Sequence, residues 1–132
     1  MPENCTAVLN FINSINDLQK LSINLSFNTK ARFSHLRETT LYRITTELIN
    51  NTLKYAGATH VNISYFYASE KNRISFTYTD NGIGFDLALI EKRKDGLGLL
   101  NIQQRIMLIR GVITIKTAPG KGFEIYIEMP LD

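Results

Sequence analysis

The sequence predicts an α+β fold of two layers, with three helices on one face of a mixed, mainly antiparallel five-stranded sheet. Three segments repeat apolar residues at helical spacing, and five shorter segments alternate apolar with polar residues as strands do. Their order is helix, strand, helix, two strands, loop, helix, two strands. Amphipathic helices and half-buried strands each have one apolar face, so packing them face to face is the simplest arrangement. We expect residues 1–132 to form a single domain of this kind.

The first half of the chain contains two predicted helices and one predicted strand. A helix is predicted over about residues 5–20, with an apolar stripe of Val8, Phe11, Ile12, Ile15 and Leu18. Residues 21–27 alternate apolar and polar side chains and are predicted to form a strand. A long helix is predicted over about residues 36–56, ending at Gly57 as its C-cap. Its apolar stripe comprises Leu41, Ile44, Leu48, Ile49, Leu53 and Ala56.

The second half contains four predicted strands and one predicted helix. Residues 61–67 and 74–78 alternate and form a predicted hairpin around a turn at residues 69–72. Residues 80–98 form a predicted loop with one short helical turn at residues 87–91. Apolar spacing predicts a helix from Leu99 to Ile109 that ends at Gly111. The last two strands begin at Val112 and at Phe123, with a turn at residues 118–122 between them.

The composition excludes several functional classes. A net charge of +3, without a run of basic residues interleaved with aromatics, gives no indication of nucleic-acid binding. No apolar run of about 20 residues is present to span a membrane, and the start of the chain lacks the pattern of a signal peptide. Cys5 is the only cysteine, which rules out an intrachain disulfide and fits a reducing compartment. We therefore expect a cytoplasmic domain that contacts neither nucleic acid nor membrane, and leave open whether a parent protein is membrane-anchored.

Two glycine-containing segments lie at the ends of the predicted loop. The first follows a strand directly and reads Asp80-Asn81-Gly82-Ile83-Gly84-Phe85, and the second, Gly96-Leu97-Gly98-Leu99, begins a helix. A glycine-rich turn at a helix start suits phosphate, because free backbone N–H groups and the helix dipole point there. The Asp80 carboxylate is suited to accept hydrogen bonds from a ligand amine. Together the segments predict a nucleotide pocket, with the base at one end and the phosphates at the other.

Three polar residues share one face of the long helix: Glu47, Asn51 and Lys54, at i, i+4 and i+7. The amide oxygen of Asn51 is a hard ligand that suits Mg²⁺, which binds few protein groups together with phosphates. Glu47 could orient a metal-bound water or accept a proton, and Lys54 could neutralise a phosphate. The stripe also fits an ordinary solvated helix face, and Asn81-Gly82 fits a type I′ hairpin turn. The combination and order of the motifs favour the nucleotide pocket.

These motifs resemble those of the catalytic and ATP-binding domain of sensor histidine kinases, within the GHKL group of Bergerat-fold proteins. Glu47–Ala56 resembles the N box of that family, Asp80–Phe85 its G1 box and Gly96–Leu99 its G2 box. The turn at Pro119–Gly122 and the closing strand resemble its C-terminal signature. The likeness covers about residues 21–131 and is specific, because several motifs occur in order at compatible spacing.

The resemblance implies ATP and Mg²⁺ as cofactors and assigns roles to the polar residues. Asn51 would bind the Mg²⁺ that bridges the phosphates, and Lys54 would contact a phosphate. Glu47 would be the catalytic residue near the transferred γ-phosphate. Asp80 would accept a hydrogen bond from the adenine amine.

The resemblance also implies how the glycines act. Gly82 and Gly84 would shape the base pocket, while Gly96 and Gly98 would let a short ATP lid close over the phosphates. The lid contains Lys92–Lys94, for which we consider both a phosphate contact and a solvated basic loop. The other residues that the resemblance places around ATP are Asn50, Tyr55, Ile83, Phe85, Leu97 and Leu99.

The implied partners are a separate dimerisation domain, which carries the phosphoacceptor histidine, and a response regulator. The Glu47 form of the N box, the short lid and the Gly98–Asn101 segment are similar to one subfamily, whose members usually partner regulators with a helix-turn-helix output. No phosphoacceptor helix is recognisable, and His35 and His60 are interpreted as structural or surface residues. We therefore expect the chain to lack the dimerisation domain and not to phosphorylate itself.

Two positions depart from the family pattern. Many relatives have Thr or Ser after the last glycine of the C-terminal turn, where the hydroxyl joins the network between adenine and the aspartate. Here Phe123 follows Gly122, so either a water replaces that hydroxyl or the affinity for adenine is reduced. Tyr55 stands where this subfamily often has His, although other histidine kinases carry Tyr there.

Two alternative functions stay open at this point. A regulator of the same fold could phosphorylate a protein serine, as anti-sigma-factor kinases do, and the lack of an attached phosphoacceptor helix suits that reading. A non-catalytic adaptor that senses nucleotide is the other alternative, and Phe123 is the one feature that supports it.

Overall fold

The computed structural model describes residues 3–18, 21–27, 34–86 and 98–131. Along these residues the helices and strands follow one another in the predicted order. Their bounds are α1 Glu3–Asp17, β1 Ser22–Phe27, α2 His35–Asn51, β2 His60–Ala68, β3 Arg73–Asp80, α3 Leu99–Leu108, β4 Val112–Thr117 and β5 Phe123–Pro130. A π-helical turn, Thr52–Ala56, continues directly from α2. Within the described ranges, no helix is long and apolar enough to cross a membrane.

The five strands form one mixed sheet in the order β1-β2-β3-β5-β4. β1 and β2 are parallel, because α2 returns the chain between them, and the other neighbours are antiparallel. β3 is the central strand, and its Tyr78 lies between Ile63 of β2 and Ile125 of β5. Asp80, the last residue of β3, pairs with Val61 and Phe123. The register therefore brings the end of the central strand next to the start of β5.

The apolar face of the sheet packs against the helices in a single core. Alternate residues along the strands are buried, as the sequence pattern predicts for a sheet with one covered face. The strands contribute Ile23, Val61, Ile63, Tyr65, Ile74, Phe76, Tyr78, Phe123, Ile125, Ile127 and Met129 to this core. The helices and their ends contribute Val8, Ile12, Ile15, Leu41, Ile44, Leu48, Ile49, Leu99, Ile102, Ile106 and Ile109. The predicted two-layer α+β fold is confirmed.

The long helix differs from the prediction at its C-terminal end. We expected one α-helix through Ala56, but α-helical bonding ends at Asn51 and the π-helical turn follows. A π turn contains more residues than an α turn, so it shifts later residues around the helix axis. Accordingly Leu53, expected on the apolar stripe, is exposed, and Thr52 is buried. The predicted C-cap is confirmed, since Gly57 has a φ of +61°.

The ends of the other two helices also differ slightly from the prediction. α1 begins earlier and ends at Asp17, which leaves Leu18 exposed. Near this end, the side chain of Asn16 exchanges two hydrogen bonds with the backbone of Ile23 in β1, at 2.9 and 3.2 Å, which ties the helix to the strand. α3 ends at Leu108 rather than near Gly111, and Arg110 takes the left-handed conformation. The helical turn predicted at residues 87–91 lies outside the described residues.

The segment after β3 lies between the end of the π-helical turn and the β4–β5 turn. The N–H of Ile83 donates to the carbonyl of Ala56 at 2.8 Å, and its carbonyl accepts from Gly120 at 2.6 Å. Gly84 has a φ of +70°, and a Cβ atom there would lie 2.1 Å from the carbonyl oxygen of Ala118. β3 pairs with β2 and β5 rather than with a strand that follows directly. The hairpin interpretation of Asn81-Gly82 is therefore wrong.

We predict that Gly84→Ala destabilises the fold more than Gly120→Ala. Gly120 also has a positive φ, of +79°, but a Cβ atom there would have no neighbour within 4 Å. Left-handed backbone alone costs an alanine about 1–2 kcal/mol, and the collision at Gly84 should add about 1–3 kcal/mol. Urea unfolding of both variants measures the difference. Equal losses would show that the loop does not need the close approach at Gly84.

Candidate functional site

A small pocket lies where the C-terminal end of the central strand meets the end of α2. The residues that line it come from α2 and its π-helical turn, from the end of β3 and the loop after it, and from the starts of α3 and β5. They are Leu48, Asn51, Thr52, Asp80, Phe85, Leu99 and Phe123. Four predicted ATP-binding residues from separate parts of the chain (Asn51, Asp80, Phe85 and Leu99) are thus brought together.

The Asp80 carboxylate is held at the inner end of this pocket by hydrogen bonds. Its Oδ1 atom accepts from the N–H of Gly82 at 2.9 Å, and its Oδ2 atom accepts from the hydroxyl of Thr52 at 3.1 Å. Burial raises the pKa of Asp80, while the bonds from Gly82, Thr52 and the backbone of Phe123 act in the opposite direction. These three hydrogen bonds do not use all the lone pairs of a carboxylate, so Asp80 can still accept a hydrogen bond from a ligand.

Two hydroxyl groups behind Asp80 were not anticipated from the sequence. The hydroxyl of Thr52 is hydrogen-bonded to that of Tyr78, which also lies 3.1 Å from the carbonyl oxygen of Leu48. Tyr78 is fully buried, and burial is the main cause of its raised pKa. Neither Thr52 in the helix nor Tyr78 in β3 interrupts the pattern of apolar and polar residues around it. The π-helical turn and the strand register bring the two side chains together. The only indication of this contact in the sequence is that both residues carry a hydroxyl group. That both groups are buried is seen only in the structure.

Aromatic rings form an apolar wall of the pocket. Phe123 packs edge-on against Phe85, with ring centroids 6.1 Å apart, and against Tyr78 at 6.5 Å. The Phe123 ring therefore belongs to the core and lines the pocket at the same time. A flat heteroaromatic ring is the kind of ligand that such a wall accommodates.

Glu47 does not line the pocket and lies against Gly98, at the start of α3. Its Oε2 atom is 3.4 Å from a guanidinium nitrogen of Arg105, and a Cβ atom at Gly98 would lie 1.8 Å from its Oε1 atom. Partial burial raises the pKa of Glu47, and the charge of Arg105 partly offsets that rise. The absence of a side chain at Gly98 thus makes room for the Glu47 carboxylate at the point where the predicted lid ends.

The remaining predicted site residues are placed as follows. Asn50, Lys54 and Ile83 are exposed and do not line the pocket. Gly82 and Gly84 bring the loop close to the backbone of Ala56 and Ala118, respectively. Gly96, Leu97 and the basic segment Lys92–Lys94 lie outside the described residues, as does the side chain of Tyr55.

Asn81, between two predicted site residues, has a structural role. Its Oδ1 atom accepts hydrogen bonds from the N–H groups of Thr59 and His60 at 2.9 and 3.0 Å. Its Nδ2 atom donates to the Thr59 hydroxyl at 2.9 Å. These bonds fasten the loop after β3 to the start of β2, next to Asp80.

Comparison with known proteins identifies the family. The family model "Histidine kinase-, DNA gyrase B-, and HSP90-like ATPase" matches residues 36–132, which include the whole pocket. The chain belongs to this ATPase family. Its curated relatives include the "Signal transduction histidine-protein kinase/phosphatase DegS" of Brevibacillus brevis, 33% identical over 76% of this chain and 25% of the relative. The "Sensor histidine kinase ComP" of Bacillus subtilis is 37% identical over 69% of this chain and 12% of the relative.

Solved structures of histidine kinases share the fold. The histidine kinase domain of the Erythrobacter litoralis EL346 blue-light activated histidine kinase has a TM-score of 0.76, at 17% identity over 96% of this chain and 58% of that chain. The catalytic domain of histidine kinase ThkA has a TM-score of 0.73, at 16% identity over 98% of this chain and 90% of that chain. This chain therefore has the fold of a histidine kinase catalytic domain, and it spans a quarter or less of the two curated relatives.

We predict that Asp80→Asn stabilises the chain in the absence of nucleotide. The raised pKa of Asp80 means that the folded state disfavours the charged carboxylate more than the unfolded state does. That penalty is present at pH 7 and disappears as the pH falls through the pKa of the folded state towards that of the unfolded state. Thermal unfolding should therefore give the variant the higher midpoint at pH 7, with a difference that shrinks towards pH 4. A lower midpoint at pH 7 would contradict the assignment of burial as the dominant effect.

Proposed function

We propose that residues 1–132 are the ATP-binding catalytic domain of a two-component sensor histidine kinase. The observation that carries this proposal is the position of the Asp80 carboxylate, half-buried beside an aromatic wall, with Asn51 lining the same pocket. Membership of the ATPase family and the identity of the curated relatives support it. We also propose that the domain belongs to a longer protein, which senses a signal and has its own partners.

The base would bind at the Asp80 end of the pocket. An ionised carboxylate offers acceptors only, so it attracts the amine of adenine and repels a keto oxygen at the same position. The edge-on pair of Phe85 and Phe123 would pack against the purine ring. Both oxygens of Asp80 already accept at least one hydrogen bond from the protein, so the carboxylate is oriented before the ligand arrives.

The phosphates would extend along α2 towards the lid. Asn51 lies one helical turn after Glu47 and lines the pocket. Its amide oxygen is a suitable ligand for a Mg²⁺ ion that is also bound by phosphate oxygens. When bound, Mg²⁺ would neutralise charge on the phosphates. Lys54 is exposed, and its side chain would contact a phosphate at the pocket entrance. Gly96 and Gly98 would border the lid.

Glu47 would act at the transferred phosphoryl group. Partial burial raises its pKa, which makes the carboxylate a stronger base for accepting a proton or orienting a nucleophile. The nucleophile would be a histidine on a separate dimerisation domain, and a response regulator, with a helix-turn-helix output in the implied subfamily, would receive the phosphoryl group next. The curated relatives are histidine kinases, so the serine-kinase alternative is not favoured.

We predict that Asn51→Ala removes the Mg²⁺-dependent part of ATP binding. Loss of a ligand oxygen should weaken Mg-ATP binding about tenfold or more, while ATP in the presence of EDTA binds the variant and the wild type alike. Asn50→Ala is the matched control, because Asn50 is the adjacent asparagine and is exposed. Isothermal titration calorimetry measures all three proteins.

Two outcomes would count against these assignments. Equal Mg²⁺ dependence in wild type and Asn51→Ala would remove Asn51 as the metal ligand. No measurable binding of Mg-ATP by the wild type would remove the nucleotide site itself. Where binding is found, a supplied dimerisation domain should become phosphorylated on histidine by the wild type and not by Asn51→Ala.

A further inference from the structure

We propose that Thr52 is a positioning residue for base recognition: its hydroxyl holds Asp80 as a hydrogen-bond acceptor and so selects purines with an amine at the edge facing Asp80. This inference rests on the proposed function, because it assumes that a purine nucleotide occupies the pocket. In the histidine kinases that the sequence resembles, the hydroxyl of this network follows the last glycine of the C-terminal turn. Here Phe123 occupies that position, and the hydroxyl that reaches Asp80 comes from the π-helical turn.

Counting protons fixes the direction of the hydrogen bonds when Asp80 is ionised. A carboxylate only accepts, so the single hydroxyl proton of Thr52 points to the Oδ2 atom of Asp80. The hydrogen bond between Thr52 and Tyr78 must then be donated by Tyr78. The three groups form a chain that runs from Tyr78 through Thr52 to Asp80, which we call the hydroxyl chain.

The hydroxyl chain has a second complete arrangement when Asp80 is protonated. Asp80 then donates to Thr52, Thr52 donates to Tyr78, and Tyr78 donates to the carbonyl oxygen of Leu48, 3.1 Å away. Thr52 and Tyr78 are buried, so bulk water does not replace either partner. The direction of the chain is therefore set by the charge of Asp80, and only in the first arrangement does Asp80 offer the pocket a negative charge and its full set of acceptors.

Thr52 favours the first arrangement because its donated bond stabilises the ionised carboxylate. Among the residues that the structure describes, the other titratable or charged groups around Asp80 are Tyr78 on β3, Lys116 on β4, Lys121 in the β4–β5 turn and Glu124 on β5. Lys116, Lys121 and Glu124 border an open groove that Asp80 also lines. Thr52 acts from the closed side, where its contact with the carboxylate is direct.

The protein contains a second buried threonine that is hydrogen-bonded to a tyrosine, and this pair provides a matched control. Thr45 of α2 is fully buried, and its hydroxyl lies 2.8 Å from that of Tyr65 and 2.7 Å from the carbonyl oxygen of Leu41. Thr45→Val removes the same chemistry from the core without touching Asp80. Thr52→Val removes the hydroxyl from the pocket, and Thr52→Ser restores it with one methyl group fewer.

Calorimetric titration of the three variants and the wild type with two nucleotides tests the proposal. Mg-ATP carries the 6-amine, and the 5′-triphosphate of purine riboside lacks it. Thr52→Val should lose about tenfold in affinity for Mg-ATP, the size expected for a hydrogen bond to a charged group, and keep its affinity for the purine riboside triphosphate. Thr52→Ser and Thr45→Val should bind both nucleotides as the wild type does.

The pH dependence gives a readout that a purely structural role would not change. Affinity of the wild type for Mg-ATP should fall as the pH is lowered through the pKa of Asp80, and Thr52→Val should show this fall at higher pH. Mg-ATP binding by Thr52→Val at wild-type strength, equal losses for both nucleotides, or an unshifted pH profile would overturn the role of Thr52. Failure of the wild type to bind Mg-ATP would instead overturn the proposed function.

Discussion

The structure around the site depends on keeping one carboxylate ionised in a partly buried place. Burial raises the pKa of Asp80 and so favours its protonated form, which offers the pocket fewer acceptors and no negative charge. Three hydrogen-bond donors from different parts of the chain oppose this: the hydroxyl of Thr52, the N–H of Gly82 and the backbone of Phe123. Each donor requires its own piece of architecture, namely the π-helical turn, the loop after β3 and the register between β3 and β5.

The remaining contacts of the site follow from that requirement. The loop can place the N–H of Gly82 only if it lies close to Ala56 and Ala118, which leaves no room for a side chain at Gly84. The Asn81 side chain fastens the same loop to the start of β2. These contacts hold the loop in the position from which Gly82 donates to the partly buried Asp80.

Much of this architecture could be predicted from the sequence. Apolar periodicity predicted the helices and strands, and Asp80 at a strand end, followed by glycines, predicted a pocket there. Both predictions rest on residues that are close together in the sequence. The π-helical turn could not be predicted, since a helical pattern does not distinguish α from π bonding over five residues. Thr52 and Tyr78 were missed because their contact joins residues 26 positions apart, and Arg105 was missed because its pairing with Glu47 spans 58. Such pairs depend on tertiary packing, which no spacing rule encodes.

The central claim is that Asp80 is a partly buried carboxylate whose ionised form binds an adenine amine, and its pKa tests this most directly. Carboxyl ¹³C NMR of the chain, with Asp80→Asn to assign the resonance, gives that pKa with and without a saturating adenine nucleotide. The account predicts a value above the ordinary 3.9 or so of an aspartate in the free chain, and a lower value in the complex, because binding favours the ionised form. An ordinary pKa in the free chain, or a pKa that nucleotide binding does not change, would contradict it.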